Sequence, residues 1–358
     1  MSLSVHREQT RPVQVGRLTL GGGAPVRIQS MTNTPTTDVE GTINQIKQLQ
    51  EAGCELVRVS APNEASARAL GKIRIGTQIP LVVDIHFDHR LALIALDEGV
   101  DKLRINPGNI GGRANVERVT KKAKERKVPI RIGVNAGSLE KELMQKYGRP
   151  TPEALVESAK KHVQILEELD FHDIIISLKA SDVQTTIATY RLASQTFKYP
   201  LHLGVTEAGT LVRGAVQSSA ALGVLLSEGI GDTVRISLAA DPVEEVRVAK
   251  TLLESLGLRQ PGPRVIACPS CARAEVEVIQ LANEVERRAQ LLKGDISISV
   301  MGCVVNGPGE AVEADFGITG GKNKGAIYVN GKAIRTVSES DLVSELFSEI
   351  RARRPECF

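Results

Sequence analysis

Three cysteines near the end of the chain carry the plainest chemistry: Cys268-Pro-Ser-Cys271 and Met301-Gly-Cys303-Val-Val-Asn306-Gly-Pro-Gly-Glu310. All six histidines stop at His202, so no imidazole follows to complete a zinc site. A C-x-x-C pair by itself serves zinc, dithiol redox and iron–sulfur sites alike. A third cysteine without a histidine weighs against a closed structural zinc. The spare cysteine, Cys357, stands in a tail where fraying is expected, and it reads as a free thiol. Cys54, in Ala-Gly-Cys-Glu-Leu, reads as a packed helix-end residue without chemistry. Three thiolates and a carboxylate, Glu310, suit an iron–sulfur cluster with one exchangeable ligand, because a hard oxygen leaves iron more readily than a thiolate does.

A second set of reactive groups lies upstream. Five apolar triplets centre on arginine: Val26-Arg27-Ile28, Val57-Arg58-Val59, Leu103-Arg104-Ile105, Ile130-Arg131-Ile132 and Val234-Arg235-Ile236. Strand side chains alternate faces, so the apolar flanks share one face and each arginine takes the other. If the flanks pack against outer helices, the arginines point inward. The same inward phase holds Gln29, Ser60, Asn106, Gly133 and Ser237, the pair Asp84 and His86, and the pair Ser177 and Lys179. Arg27 sits earlier on its strand and reads as a bottom-layer structural residue.

Burying several guanidiniums without partners costs several kcal/mol each. Asp84 and Glu207 neutralise two at most, and the remainder calls for an anionic ligand. Bidentate arginine contacts suit phosphate oxygens. A phosphate or diphosphate is therefore expected near Arg58, Arg104, Arg131, Lys179 and Arg235; internal salt bridging is the alternative for any one of them. Asn106-Pro-Gly-Asn-Ile-Gly-Gly112 is either an anion cradle at a helix start or a plain turn. His86 and His89 fit hydrogen-bonding roles better than a metal site.

The elements that must position these groups follow from periodicity. Eight strands are expected: Val26–Ser30, Leu56–Ser60, Leu81–His86, Lys102–Asn106, Pro129–Val134, Asp173–Lys179, Pro200–Val205 and Thr233–Leu238. Amphipathic helical patterns separate them, and the unit count fits an α/β (β/α)8 TIM barrel better than an open doubly wound sheet. Val13–Gly23 reads as a hairpin capping the barrel bottom. Gly53, Gly99 and Gly229 mark helix ends.

A linker near Leu258-Arg-Gln-Pro-Gly-Pro263 divides residues 1–260, the diphosphate-binding barrel, from residues 261–358, a smaller α+β iron–sulfur domain. The latter is expected to hold a strand Val265–Ala267, a helix from Ala272 to Leu292, a strand Ile296–Val300, a hairpin Ala326–Thr336 and a helix Ser340–Arg353. Net charge +3, 3% aromatics and no Trp offer no platform for nucleic acid. No stretch is long and apolar enough to span a membrane, and the polar N-terminus lacks a signal-peptide core, so a cytoplasmic protein is expected.

Taken together, the cationic barrel and the two cysteine motifs resemble the GcpE (IspG) family of 4-hydroxy-3-methylbut-2-enyl diphosphate synthases, in the compact two-domain bacterial form. The similarity runs from Gln29-Ser-Met-Thr-Asn33 through the C-terminal motif. It implies two-electron reductive ring opening and dehydration of 2-C-methyl-D-erythritol 2,4-cyclodiphosphate, with flavodoxin or ferredoxin as donor. It implies a [4Fe-4S] cluster on Cys268, Cys271, Cys303 and Glu310, in a domain resembling that of sulfite and nitrite reductases. It implies diphosphate binding by Arg58, Arg104, Arg131, Lys179 and Arg235. Met31, Asn135, Thr206, Ser237 and Asn306 match further active-site positions, and Glu207 a proton-transfer role. A homodimer is also implied, the cluster domain of one chain capping the barrel of the other. Two rival readings are a zinc-stabilised phosphate-binding barrel akin to dihydropteroate synthase, and an iron–sulfur carrier without catalysis.

Overall fold

Three of the arginine-centred triplets, those around Arg58, Arg104 and Arg131, lie wholly within barrel strands; Val26 just precedes its strand, and Arg235 and Ile236 follow theirs. The computed structural model describes residues 6–106, 110–303 and 313–358. A short hairpin, β1 (Val13–Val15) and β2 (Leu18–Leu20), comes first. The barrel follows as β3 (Arg27–Met31), β4 (Leu56–Ser60), β5 (Leu81–Asp84), β6 (Lys102–Ile105), β7 (Ile130–Asn135), β8 (Ile174–Lys179), β9 (His202–Leu203) and β10 (Thr233–Val234). All neighbours are parallel, running β3 to β8 in order, with β10 between β3 and β9. A parallel bridge from Ile176 to Leu201 joins the two ends into a ring.

Outward residues such as Val57, Val59, Leu103, Ile105, Ile130 and Ile132 are buried in one continuous core against the surrounding helices. These helices obey local rules. Asp38, Asn63, Asp88, Thr151, Asp182 and Asp241 cap their first turns through side-chain oxygens. Gly53, Gly99 and Gly229 all take the left-handed backbone expected of them.

The hairpin closes the amino end of the ring. Val13, Val15 and Leu20 form a separate cluster with Leu56, Val82 and Ile175, the inward residues lowest on their strands. Gly16 makes the turn at φ +54°, where a Cβ would sit 2.9 Å from Asp101 Oδ1. The barrel interior is thus apolar at the bottom and polar above.

Two strands are much shorter than the periodicity suggests. β9 and β10 keep only two residues each in the ladder. Gly204 presses against the Arg235 carbonyl, where a Cβ would lie 2.9 Å from that oxygen. The chain beyond leaves the sheet, and that departure frees Thr206, Glu207 and Ser237 for the barrel mouth.

The chain divides into two compact units, Met1–Leu258 and Arg259–Phe358. The second contains β11 (Arg264–Ala267), β12 (Ser297–Met301), β13 (Phe316–Gly321), β14 (Lys324–Val329) and β15 (Lys332–Ser338), in that spatial order. β11, β12 and β13 are parallel, and the last two pairings are antiparallel. Helices Val278–Ala289 and Leu342–Arg353 share a core with Ile298, Val300, Ile318 and Ile327.

Three expectations need correction in this unit. The first helix starts at Val278 rather than Ala272, because residues 272–277 fold into turns that serve the cysteines. β13 was absent from the periodicity because Phe-Gly-Ile-Thr-Gly-Gly is glycine-rich, yet the ladder needs those glycines: a Cβ on Gly317 would lie 2.1 Å from Ser299 Oγ. Cys357 is not frayed; it is buried in the core, and its carbonyl accepts from Lys293 N at 2.7 Å. Among the described residues no helix is long and apolar enough to cross a membrane.

Leu20 is fully buried in the hairpin cluster. Leu20→Ala is expected to cost about 2–5 kcal/mol of stability, the range for truncating a buried leucine, read as a lowered urea midpoint with an unchanged slope.

Candidate functional site

Above the apolar floor, the inward side chains of the barrel strands enclose a cavity of about 280 Å³. Arg58, Arg104, Arg131, Lys179 and Arg235 all line it, as alternation predicted. So do Asn135, Thr206, Glu207 and Ser237, together with Asp84, His86 and Ser177. Met31 is held beside them: Arg58 donates to its Sδ from Nε at 3.1 Å and Nη2 at 2.9 Å, and Arg235 approaches the same sulfur at 3.6 Å. A thioether is a weak acceptor. Both guanidiniums therefore keep donors that a better acceptor would satisfy.

Two carboxylates hold the cationic layer in place. Asp84 Oδ1 accepts from Arg104 Nη1 at 2.9 Å, and Arg58 Nε lies 3.7 Å from Oδ2. His86 Nε2 stands 3.4 Å from Asp84 Oδ1. Burial pushes the Asp84 carboxyl up, but His86, Arg58 and Arg104 outweigh it and hold the group well below the usual carboxylate range.

The second carboxylate is Glu245, not Glu207. From helix Pro242–Ser255 it reaches inward and accepts from Arg235 Nε and Nη2, both at 3.1 Å, from Ser30 Oγ at 2.9 Å and from Leu238 N at 3.1 Å. Glu207 instead stands exposed at the cavity mouth with φ +56°, a strained conformation for a residue with a Cβ. In the sequence Glu245 sits in a helix's first turn, where an acid reads as complementing the helix dipole. Its inward reach carries no local signal.

Positive charge remains in excess. Among the described residues, buried Arg131 has no partner for Nε or Nη1, and Arg104 none for Nε. Burial, then Arg235, lowers Arg58 to about 10. Burial, then Arg58, drives Arg131 and Lys179 well below their ordinary values. A dianion in the cavity would relieve each of these costs.

Glycines make the room. A Cβ on Gly133 would lie 2.5 Å from Arg104 Nε, and one on Gly204 would lie 3.2 Å from Lys179 Nζ. Arg27 pairs with Glu55 at 2.7 Å outside the cavity, in the structural role expected of it. His89 opens helix His89–Asp97, and its Nδ1 stands 4.0 Å from Asp88 Oδ1. Part of the loop after β6, residues 107–109, lies outside the described residues.

In the second unit, parallel pairing sets the ends of β11 and β12 side by side, with Cys268 directly after one and Cys303 two residues after the other. Cys268 N donates to Val300 O at 3.1 Å, and Gly302 N donates to Cys268 Sγ at 3.3 Å. Turns between the strand and the helix return the chain: Ala274 N bonds Cys271 O at 2.9 Å, and Glu275 N bonds Gly302 O at 2.8 Å. Gly302 must be glycine, since a Cβ there would lie 2.2 Å from Val278 Cγ2 and 3.6 Å from Cys268 Sγ.

Arg273 bonds the Cys271 thiol through backbone and side chain and holds it below the ordinary thiol range, favouring the thiolate; Cys303 also acts on the Arg273 charge. All five cysteines are free of disulfides. Among the described residues no three His, Cys, Asp or Glu side chains gather about a single-ion position. Backbone N–H groups reach two of the sulfurs, Gly302 N that of Cys268 and the turn after Cys271 that of Cys271. Asn306 and Glu310 lie outside the described residues. Cys54 is buried as expected, its thiol pushed up to about 12 by burial.

Two substitutions test this construction. Gly133→Ala should displace the Arg104 guanidinium and weaken diphosphate binding about 10–100-fold, the worth of one charged hydrogen bond, in a calorimetric titration. Glu245→Ala should cost about 3–5 kcal/mol by stranding Arg235, measured by urea denaturation.

Comparison with known proteins gives a consistent result. The family described as GcpE TIM-barrel domain matches residues 10–250, and the GcpE protein C-terminal domain matches residues 264–352. Proteins named 4-hydroxy-3-methylbut-2-en-1-yl diphosphate synthase (flavodoxin) are similar over nearly the whole chain. The one from Geobacillus thermodenitrificans is 56% identical, covering 100% of this chain and 96% of its own. That of Anoxybacillus flavithermus is 57% identical, covering 98% and 96%. That of Listeria monocytogenes is 55% identical, covering 100% and 97%. Among solved structures, a Coxiella burnetii dihydropteroate synthase aligns with a TM-score of 0.50 at 10% identity, over 70% of this chain and 100% of that one. The Yersinia pestis dihydropteroate synthase gives 0.50 at 11%, over 69% and 97%. These last two share the fold alone.

Proposed function

The chain belongs to the GcpE family, and from that premise we propose how its two units make 4-hydroxy-3-methylbut-2-en-1-yl diphosphate with flavodoxin as electron donor. The substrate in this reading is 2-C-methyl-D-erythritol 2,4-cyclodiphosphate, opened and dehydrated with two electrons. The observation that carries it is the barrel cavity, where four guanidiniums and Lys179 converge on a wall that holds Asp84 and, at its mouth, Glu207, with Glu245 pairing Arg235 from outside the lining. Such a layer suits a ligand with two phosphates.

Breaking a carbon–oxygen bond to phosphate leaves negative charge on the departing diphosphate. Arg58, Arg104, Arg131, Lys179 and Arg235 are already arranged to stabilise that charge. Asn135, Ser237 and Thr206 offer uncharged donors and acceptors that orient the carbon skeleton. Glu207, exposed at the mouth, is the group that passes a proton to the departing hydroxyl. Met31 holds Arg58 and Arg235 until phosphate oxygens replace its sulfur, and Asn306 completes the site by resemblance.

Side chains supply no electrons. A [4Fe-4S] cluster, held by Cys268, Cys271, Cys303 and Glu310, would supply them when bound. The Cys271 thiolate favoured by Arg273 and the glycine cradle at Gly302 support that ligand set. Family resemblance further supports a cytoplasmic homodimer in which each cluster-binding domain caps the partner's barrel.

Two measurements test this reading. Protein isolated without oxygen should contain iron and sulfide and show a visible absorption that dithionite bleaches, and Cys268→Ser should lose it; a colourless zinc protein would overturn the cofactor assignment. Arg131→Ala should lower kcat/KM for the cyclodiphosphate by at least about 100-fold, as expected when a charged contact to the reacting group is removed. Unchanged turnover would overturn the barrel as the reaction site.

A further inference from the structure

Lys102 lies on β6 in the inward phase, two residues before Arg104, and is completely buried. It does not line the cavity. Its Nζ meets one acceptor, Gln29 Oε1 on β3, at 3.0 Å. Among the described residues no carboxylate pairs with it: Asp84 on β5 is engaged by Arg58 and Arg104, and Glu245 by Arg235. The charged groups around it are cations, Arg58 on β4 and Arg131 on β7, with Lys179 on β8 in the same field. His202 on β9 is buried too, its Nδ1 2.6 Å from Thr233 Oγ1 on β10.

This layer has too many donors. Among the described residues, Arg131 Nε and Nη1 and Gln29 Nε2 are buried without acceptors. A lysine ammonium adds three donors and no acceptor, whereas a neutral amine brings one lone pair. Guanidiniums hold their protons most tightly, so the lysines are the groups able to yield one, and of these Lys102 lies outside the cavity while Lys179 lines it.

We propose that Lys102 is a neutral amine in the ligand-free barrel and takes up a proton when a diphosphate seats above it. Anion binding is thereby coupled to the charge of a residue that the anion does not touch. This rests on the diphosphate reading of the cavity. Burial first, then Arg131 and Arg58, holds Lys102 well below the ordinary lysine range, in keeping with the geometry. A dianion offsets the field of those arginines and restores the ammonium. By linkage, affinity falls as pH rises wherever free Lys102 is neutral and bound Lys102 charged, by up to about tenfold per pH unit for one proton. Lys102 is a positioning residue in this scheme, setting how strongly Arg131 and Arg58 are drawn to the ligand.

Calorimetric titration of the anaerobically prepared holoprotein with the cyclodiphosphate, in buffers of different ionisation enthalpy, counts the protons taken up. Both phosphates of that ligand are already ionised, so any proton goes to the protein. Wild type should take up more than Lys102→Met, by about half to one proton, and lose affinity more steeply with pH. Lys102→Gln, which keeps a polar contact to Gln29, should show the same deficit and guards against a misfolded methionine variant. Equal uptake in wild type and variants, or binding by wild type without uptake, overturns the proposal. Failure of the wild type to bind the cyclodiphosphate at all overturns the diphosphate reading, and this proposal with it.

Discussion

The structure is governed by uncompensated positive charge inside a closed ring of strands. Arg58, Arg104, Arg131, Lys179 and Arg235 converge where barrel interiors ordinarily pack branched apolar side chains. Asp84 and Glu245 hold the layer together without neutralising it. Such an interior is tolerable only because the rest of the unit is strongly apolar. Helices bury the outward faces of every long strand, and the hairpin supplies an aliphatic floor. Stability resides in the shell and the floor; the middle is held in a state that favours an anion. That division explains why Gly133, which stabilises no core, occupies a central strand position, and why Gly204 stands where the chain leaves β9.

The second unit follows a different logic. Its parallel strands β11 and β12 end together, and the turns after β11 fold back so that Glu275 N reaches Gly302 O while Gly302 N reaches Cys268 Sγ. Gly302 allows this closeness. Arg273 favours thiolate at Cys271. Each unit thus handles one charge problem: the barrel receives negative charge, and the cysteine unit is built to hold anionic sulfur.

Much of this was legible because strand alternation is a rigid rule. One arginine between two aliphatic residues, repeated on several strands, fixes which face is inside before any fold is known. The same rule reaches Lys102, in Lys-Leu-Arg-Ile, although a lysine at a strand's first residue reads as a solvated end. Glu245 was beyond sequence logic, since its contact with Arg235 depends on how helix Pro242–Ser255 packs against β3 and β10. The cysteine spacing marks where the thiols stand, but the turns at 272–277 override a helical pattern that periodicity alone would extend. β13 is hidden for a related reason: its glycines serve close packing against Ser299 and Val276 and erase the alternation that marks a strand.

The hairpin floor has a kinetic consequence. With Val13, Val15 and Leu20 filling one end of the ring, the barrel is a blind chamber, and whatever enters by the carboxyl-end mouth must leave by it. In the proposed function substrate and product both carry a diphosphate, which the arginine layer would grip in each. The traffic is single-file: a fresh substrate finds its berth only after the previous diphosphate has let go of the same guanidiniums. Release of product is therefore built into the cycle as a step that competes directly with entry.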